Sequence, residues 1–311
     1  MERKVAQIGP STLMISLPNK WVKEKEIQKG DSLFASMIDE SIIFSKSQVK
    51  AKEKEISVDI SNFNKYLLSR YLEVLYLSNY SKIILTYTKQ EIKSDKDDKI
   101  LNIKSLISKL SNRFIGMEIV SQSKNSTELR WFLLDDDKDL ATIEKRIYFL
   151  LKDTMEEFLN SLDKNTHAEY FENVYEYHDN ISKFITYYLK ILNQSDKNDY
   201  EKRQLFTLYL IIDKIVDKFR HTNEMVHKFG YTPKVKKIIK EIFELVYELF
   251  TALHKGDINQ ELVSKRYQLV KKVESSEFTL NEYKVIAEIR IVLDIINDFS
   301  RAIIVEKLSE K

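Results

Sequence analysis

From Leu140 onward apolar residues return every three or four positions, as in ATIEKRIYFLLKDTMEEFLNSL (141–162), a spacing that gathers them on one helical face. Between Met117 and Phe229 there is neither glycine nor proline, so nothing punctuates the pattern. HKFGYTPK (227–234) joins a C-terminal glycine to a following proline, and HKGD (254–257) repeats the first device. The spacing predicts helices near 140–162, 167–193, 200–228, 234–254, 258–273 and 280–308, which make two sets of three.

Residues 53–133 alternate differently. EISVDI, KIILTYT, MEIVSQS and TELRWFLL carry β-branched or alternating runs, while NKYLLSRYLEVLYLS and ILNIKSLISKL keep helical spacing. The order predicted is β-α-β-α-β-β. KSDKDDK (93–99) reads as a solvated loop, and DDDKD (135–139) as a hinge into the helical half. Neither has the ligand spacing and glycine of a calcium loop.

The first fifty residues hold two of the three prolines and two of the five glycines. RKVAQI (3–8) and TLMIS (12–16) read as strands turned by Gly9-Pro10, and Pro18 suits the first turn of a helix with Trp21 and Val22 on its buried side. Gly30-Asp31 is expected to end that helix, after which SLFASMI and SIIFSK pair around Asp39-Glu40. Such a β-β-α-β-β unit is too small to close its own core, so dimerisation is expected.

Composition narrows the function. Fifty Lys+Arg against forty-eight Asp+Glu give a net charge of +2, too little for a general pull toward nucleic acid. The absence of cysteine excludes disulfides, thiolate metal sites and thiol nucleophiles, and fits a cytoplasmic chain. No run approaches a membrane span, so no membrane insertion is expected. There is no Gly-x-Gly or Walker-type run, and the histidines at 167, 178, 221, 227 and 254 show no zinc-ligand pairing. His221 and His227 read as polar residues at a helix end, and an enzyme is not expected.

The segment RKVAQIGPSTLMISLPNKWVKEKEIQKGDSLF resembles the AbrB/SpoVT family of swapped-hairpin domains: a basic strand, Ile-Gly-x-Ser, Leu-Pro-x-x-Trp-Val, then Gly-Asp. The match covers about residues 3–46. The resemblance implies an intertwined homodimer that commonly binds DNA through basic residues, which here are Arg3 and Lys4, with Lys20 and Lys23 after them. Residues 1–50 carry eight basic and six acidic side chains, so a dimerisation clip that never touches DNA stays open beside the DNA reading.

The helical half contains one repeat. IDKIVDKFR (212–220) and LDIINDFSR (293–301) share [Ile/Leu]-Asp-x-Ile-x-Asp-x-x-Arg, each on the last helix of a three-helix set. The spacing puts Asp213 beside Asp217, and Asp294 beside Asp298, on faces turned away from the apolar seams. Such pairs suit oxygen-preferring cations, or form an ordinary solvated face.

Two three-helix bundles with an acidic-x-x-x-Asp motif on each last helix look like the PhoU family of phosphate-uptake regulators, over about 140–311. The resemblance implies divalent metal or iron ions at surface carboxylates, here Asp213, Asp217, Asp294 and Asp298. Where a second acidic pair is expected, the chain has His178 and Ser182, with Asp179 adjacent.

With the AbrB-like start and a middle containing RFIGMEIV, the whole is similar to a group of archaeal phosphate-uptake regulators. The expected fold is multidomain and mainly α. It comprises a β-rich swapped-hairpin domain (1–48), an α/β middle domain (49–139) and two bundles (140–229 and 230–311). The expected function is regulation of phosphate uptake through DNA. The alternative is a metal-binding dimeric adaptor that docks on a phosphate-transport or signalling protein.

Overall fold

The computed structural model describes residues 2–38, 41–46, 54–132, 139–255 and 259–309, and the chain divides into two compact units, 1–52 and 53–311. The turn expected at Asp39-Glu40, most of DDDKD and the glycine of HKGD lie outside the described residues.

In the first unit β1 (Val5–Gly9) pairs antiparallel with β2 (Thr12–Ile15), Val5 opposite Ile15 and Gly9 opposite Thr12. Pro18, in extended conformation, caps α1 (Asn19–Glu24). This helix stops well before Gly30. Glu26 adopts φ 51° and supplies the left-handed residue of a Schellman turn, Ile27 N–H donating to Val22 O at 3.0 Å and Glu26 N–H to Lys23 O at 3.3 Å. A non-glycine residue in that conformation gives no clear signal in the sequence. β3 (Phe34–Ile38) and β4 (Ser41–Ser45) form a second antiparallel hairpin that does not join the first. Trp21 and Val22 are only half-buried, and among residues 2–35, 42 and 44–46 none is buried.

The second unit begins with a four-stranded sheet ordered β5-β6-β10-β9, built from β5 (Lys54–Asp59), β6 (Tyr80–Thr86), β9 (Met117–Gln122) and β10 (Ser126–Trp131). α2 (Lys65–Leu77) connects the parallel pair β5 and β6, and α3 (Ile103–Ser111) leads into β9. Asn64 and Asn102 cap the two helices, accepting from the N–H groups of Leu67 and Ser105. Ile83, Leu85 and Leu129 from the sheet are buried with Leu68, Leu72 and Ile107 from the helices.

The expected loop at 93–99 is part of a hairpin, β7 (Glu91–Ser94) with β8 (Lys99–Asn102), turning at Asp98 with φ 51°. Gly116 adopts φ +77°, and a Cβ there would lie 2.3 Å from Phe132 O, so only glycine fits.

The chain is mainly helical from Leu140 on. α4 (Leu140–Lys164) starts at Asp139 and ends with Asn165 in the left-handed region. The helix expected over 167–193 is two, α5 (His167–Phe171) and α6 (Val174–Gln194), because Asn173 N–H bonds Tyr170 O in a tighter turn that interrupts the α-helical ladder.

α7 (Asp199–Phe229) opens with a capping box of Asn198 and Glu201. α8 (Pro233–Lys255), α9 (Gln260–Glu274) and α10 (Leu280–Ser309) follow, and α7 packs along α10. One core runs from Ile143 to Ile303 across all the long helices. Phe158, Phe219 and Phe243 meet edge to face within it, with centroids 5.1 to 5.6 Å apart.

The α/β layer meets the helices where α2 ends. Its last carbonyls lack helical partners, and the end of α6 supplies donors: Lys190 Nζ to Tyr76 O at 2.7 Å and Asn193 Nδ2 to Leu77 O at 3.0 Å. The ammonium of Lys190 is fully buried, 3.9 Å from the centre of the Trp131 ring and 4.5 Å from that of Tyr76. Burial pulls its pKa down to about 7.

Lys190→Met removes the shorter of two donors to Tyr76 O, leaving the Asn79 N–H at 3.3 Å, and is expected to cost about 1 kcal/mol. A lysine whose pKa falls on folding favours the folded state most when it is neutral. Wild type should therefore gain stability as pH rises from 7 toward 10, and the variant should lack that slope in thermal melts at stepped pH.

Candidate functional site

Where α2 and the end of α3 face α6 and α7, a cleft of about 390 Å³ opens. Helical spacing on α6 places Tyr175, Asp179, Lys183 and Thr186 along it, with His178 and Ser182 beside them. α7 contributes Asp213, Asp217 and Arg220; α2 contributes Lys65, Tyr66, Ser69, Arg70 and Glu73; Arg113 follows α3, and Lys96 comes from the β7–β8 turn.

His178 is the centre of its network. Its Nε2 lies 2.9 Å from Asp217 Oδ1 and its Nδ1 lies 3.0 Å from Asp179 Oδ1. Burial alone would lower its pKa, but the bonds to Asp179 and Asp217 outweigh burial and raise it. Asp217 is held down to about 2, chiefly by the His178 bond, with Arg220 adding to the effect. Asp179 is lowered mainly by the same imidazole, and Arg113 Nη2 reaches it at 3.4 Å.

Asp213 behaves in the opposite way. Burial raises its pKa, the neighbouring Asp217 adds to that, and the Ser182 hydroxyl, donating at 2.8 Å, opposes it.

The structure thus differs from the outward-facing pair that helical spacing alone implied. Asp213 and Asp217 are half-buried because α2 approaches α6 and closes one side of the face they share. Both accept bonds from protein donors. On α10, Asp294 and Asp298 are exposed as expected; Arg266 Nη2 lies 3.6 Å from Asp294, and Asp298 has no ion-pair partner among the described residues. No group of three or more His, Asp or Glu side chains among the described residues is arranged to hold a metal ion.

Of the basic residues in the first unit, Lys4, Lys20 and Lys23 are exposed and Arg3 is half-buried. Lys20 and Lys23 share a face of α1, with Glu24 3.9 Å from Lys20. Arg3 and Lys4 immediately precede β1.

Lys65, Lys96, Arg113 and Lys183 did not stand out in the sequence, since they come from separate segments and follow no shared motif. Comparison with family models, curated proteins and solved structures gave no match.

The network fixes a test. Asp217→Asn removes the charge that holds His178 and is expected to cost about 1 kcal/mol, less than a buried charged hydrogen bond because Asp217 is partly exposed and screened by solvent. Asp298→Asn should be near neutral. His178, raised on folding, contributes fully below its unfolded value near 6.5 and less as pH rises through its folded value. Asp217, lowered on folding, contributes above its unfolded value near 3.9 and loses that as pH falls toward about 2. The gap between wild type and Asp217→Asn should be widest near pH 5–6 and smaller at pH 8, measured by chemical denaturation. A gap that grows from pH 6 to 8 would remove His178 as the partner.

Proposed function

We propose that this chain is a dimeric regulator of phosphate uptake, with residues 1–48 as a swapped-hairpin, DNA-binding dimerisation domain and the remainder as the regulatory body. In that reading 49–139 is an α/β middle domain, and the two helical sets at 140–229 and 230–311 are PhoU-like bundles. The observation that carries it is the exposure of the apolar strand residues described in the first unit. Val5, Ile8 and Leu13 are 62%, 62% and 71% exposed, and the two hairpins do not pair with one another. A second copy is the partner whose hairpins match them, since each copy leaves the same apolar strands uncovered.

The resemblance to AbrB/SpoVT domains supports DNA as the ligand of that dimer, with Arg3 and Lys4 reaching phosphates or base edges and Lys20 and Lys23 flanking them. Among the described residues no helix is long and apolar enough to cross a membrane. The reading places the protein in the cytoplasm and assigns it no catalysis. Divalent or iron ions at Asp213, Asp217, Asp294 and Asp298 belong to the PhoU resemblance. An ion at the first pair would compete with His178 and Ser182 for the carboxylates, so manganese should raise the melting temperature only through Asp294 and Asp298 unless those bonds break.

Removal of residues 1–52 should lower the order of association seen by sedimentation; an unchanged dimer would sink the swapped-hairpin reading. The full chain should shift its own promoter DNA at low salt. Arg3→Ala with Lys4→Ala should weaken that binding and flatten its salt slope by roughly one unit per lost phosphate contact. If wild type binds no DNA at low salt, the adaptor reading takes its place, with a phosphate-transport or signalling protein as partner.

A further inference from the structure

The cleft between α2, α3, α6 and α7 has an uneven charge balance. Its four carboxylates are engaged: Glu73 with Arg70, Asp179 with His178 and Arg113, Asp213 with Ser182, Asp217 with His178 and Arg220. Lys65, Lys96 and Lys183 line the same cleft, and none of them forms an ion pair among the described residues. Arg70, Arg113 and Arg220 offset Glu73, Asp179 and Asp217, while Asp213 has only the neutral Ser182 hydroxyl, so three ammonium groups face at most one uncompensated carboxylate and the cleft is left net positive. A cation entering here would have to displace His178, Arg113 or Arg220 from their acids. An anion meets donors already free.

Size and shape narrow the class. About 390 Å³ falls within the usual range of small-molecule sites, roughly 300–1,000 Å³, and is far more than a bare oxyanion fills. The rings of Tyr66 and Tyr175, 43% and 47% exposed, line the cleft with a cation near each, Lys65 Nζ 5.9 Å from the Tyr66 centroid and the Arg220 guanidinium 5.5 Å from that of Tyr175, and their remaining exposed area can take an aromatic ring. The hydroxyl of Ser69 and carboxylates with lone pairs to spare can take hydroxyl or amine groups. A phosphoryl group, with up to two negative charges and three acceptor oxygens, suits a cleft lined by several lysines better than a carboxylate does.

We infer that this cleft binds a phosphorylated small molecule of nucleotide size, its phosphate drawn to Lys65, Lys96 and Lys183 and its ring against Tyr66 or Tyr175. The site lies wholly within residues 53–311 and does not depend on whether the first unit binds DNA.

Calorimetric titration of the full chain with ATP, AMP, inorganic phosphate and adenosine tests it. ATP and AMP should bind, inorganic phosphate more weakly than either, and adenosine not measurably. Changing Lys65, Lys96 and Lys183 together to Gln should weaken ATP by at least about tenfold. The same change at Lys89, Lys104 and Lys124, outside the cleft, alters net charge equally and should leave ATP binding within about twofold. Unaltered thermal melts should accompany the cleft variant, since its lysines hold no ion pair. Absence of ATP and AMP binding to wild type, inorganic phosphate binding as tightly as the nucleotides, or equal weakening by the two triple variants would overturn the inference.

Discussion

A helix that ends inside a protein leaves carbonyl oxygens that must find donors, and the end of α2 finds them on α6. Lys190, Asn193 and Gln194, spaced three and four residues apart on one face at the close of α6, meet Tyr76, Leu77 and Asn79. The geometry is costly to build, because an ammonium group is taken fully out of water. It is tolerated because the negative end of the α2 dipole and two aromatic faces surround the charge. This junction sets where α2 lies against α6, and so where Lys65, Arg70 and Glu73 stand relative to Asp213 and Asp217. Asp213 is raised partly through that placement, since Glu73 contributes to its electrostatic field.

The cleft then follows from ordinary electrostatics. Two aspartates one turn apart on α7 repel, and the chain answers with different partners for each: an imidazole and a guanidinium for Asp217, a hydroxyl for Asp213. The result separates two neighbouring acids in pKa, one lowered and one raised. His178 couples α6 to α7, and Arg113 couples α6 to the end of α3, so the walls are tied together by charge as well as by packing.

Much of the helical half was legible because its signals are local. Gly230 and Pro233 mark boundaries within a residue or two, and Leu205, Leu208, Ile212, Ile215 and Phe219 are buried at helical spacing along α7. The misses are local as well. EIKS and KILN have too few apolar residues to announce a hairpin, Glu26 carries no turn preference, and Asn173 is a single turn-prone residue inside an otherwise helical pattern. The site was half legible: the Asp-x-x-x-Asp repeat stood out, but the burial of Asp213 did not, because α2 approaches from more than a hundred residues away in the chain. The three lysines come to line one cleft only through tertiary structure, which no period in the sequence encodes.

The aromatic junction of Phe158, Phe219 and Phe243 has a consequence for how such a chain changes over time. Phe158 and Phe219 belong to the first helical set and Phe243 to the second, yet each ring is part of the wall the others rest on. In an interior packed to crystal density, a larger or smaller ring on one side leaves a void or a clash on the other. The helices on either side of Gly230 are therefore not independent parts: a change of ring size on one side calls for an answering change on the other.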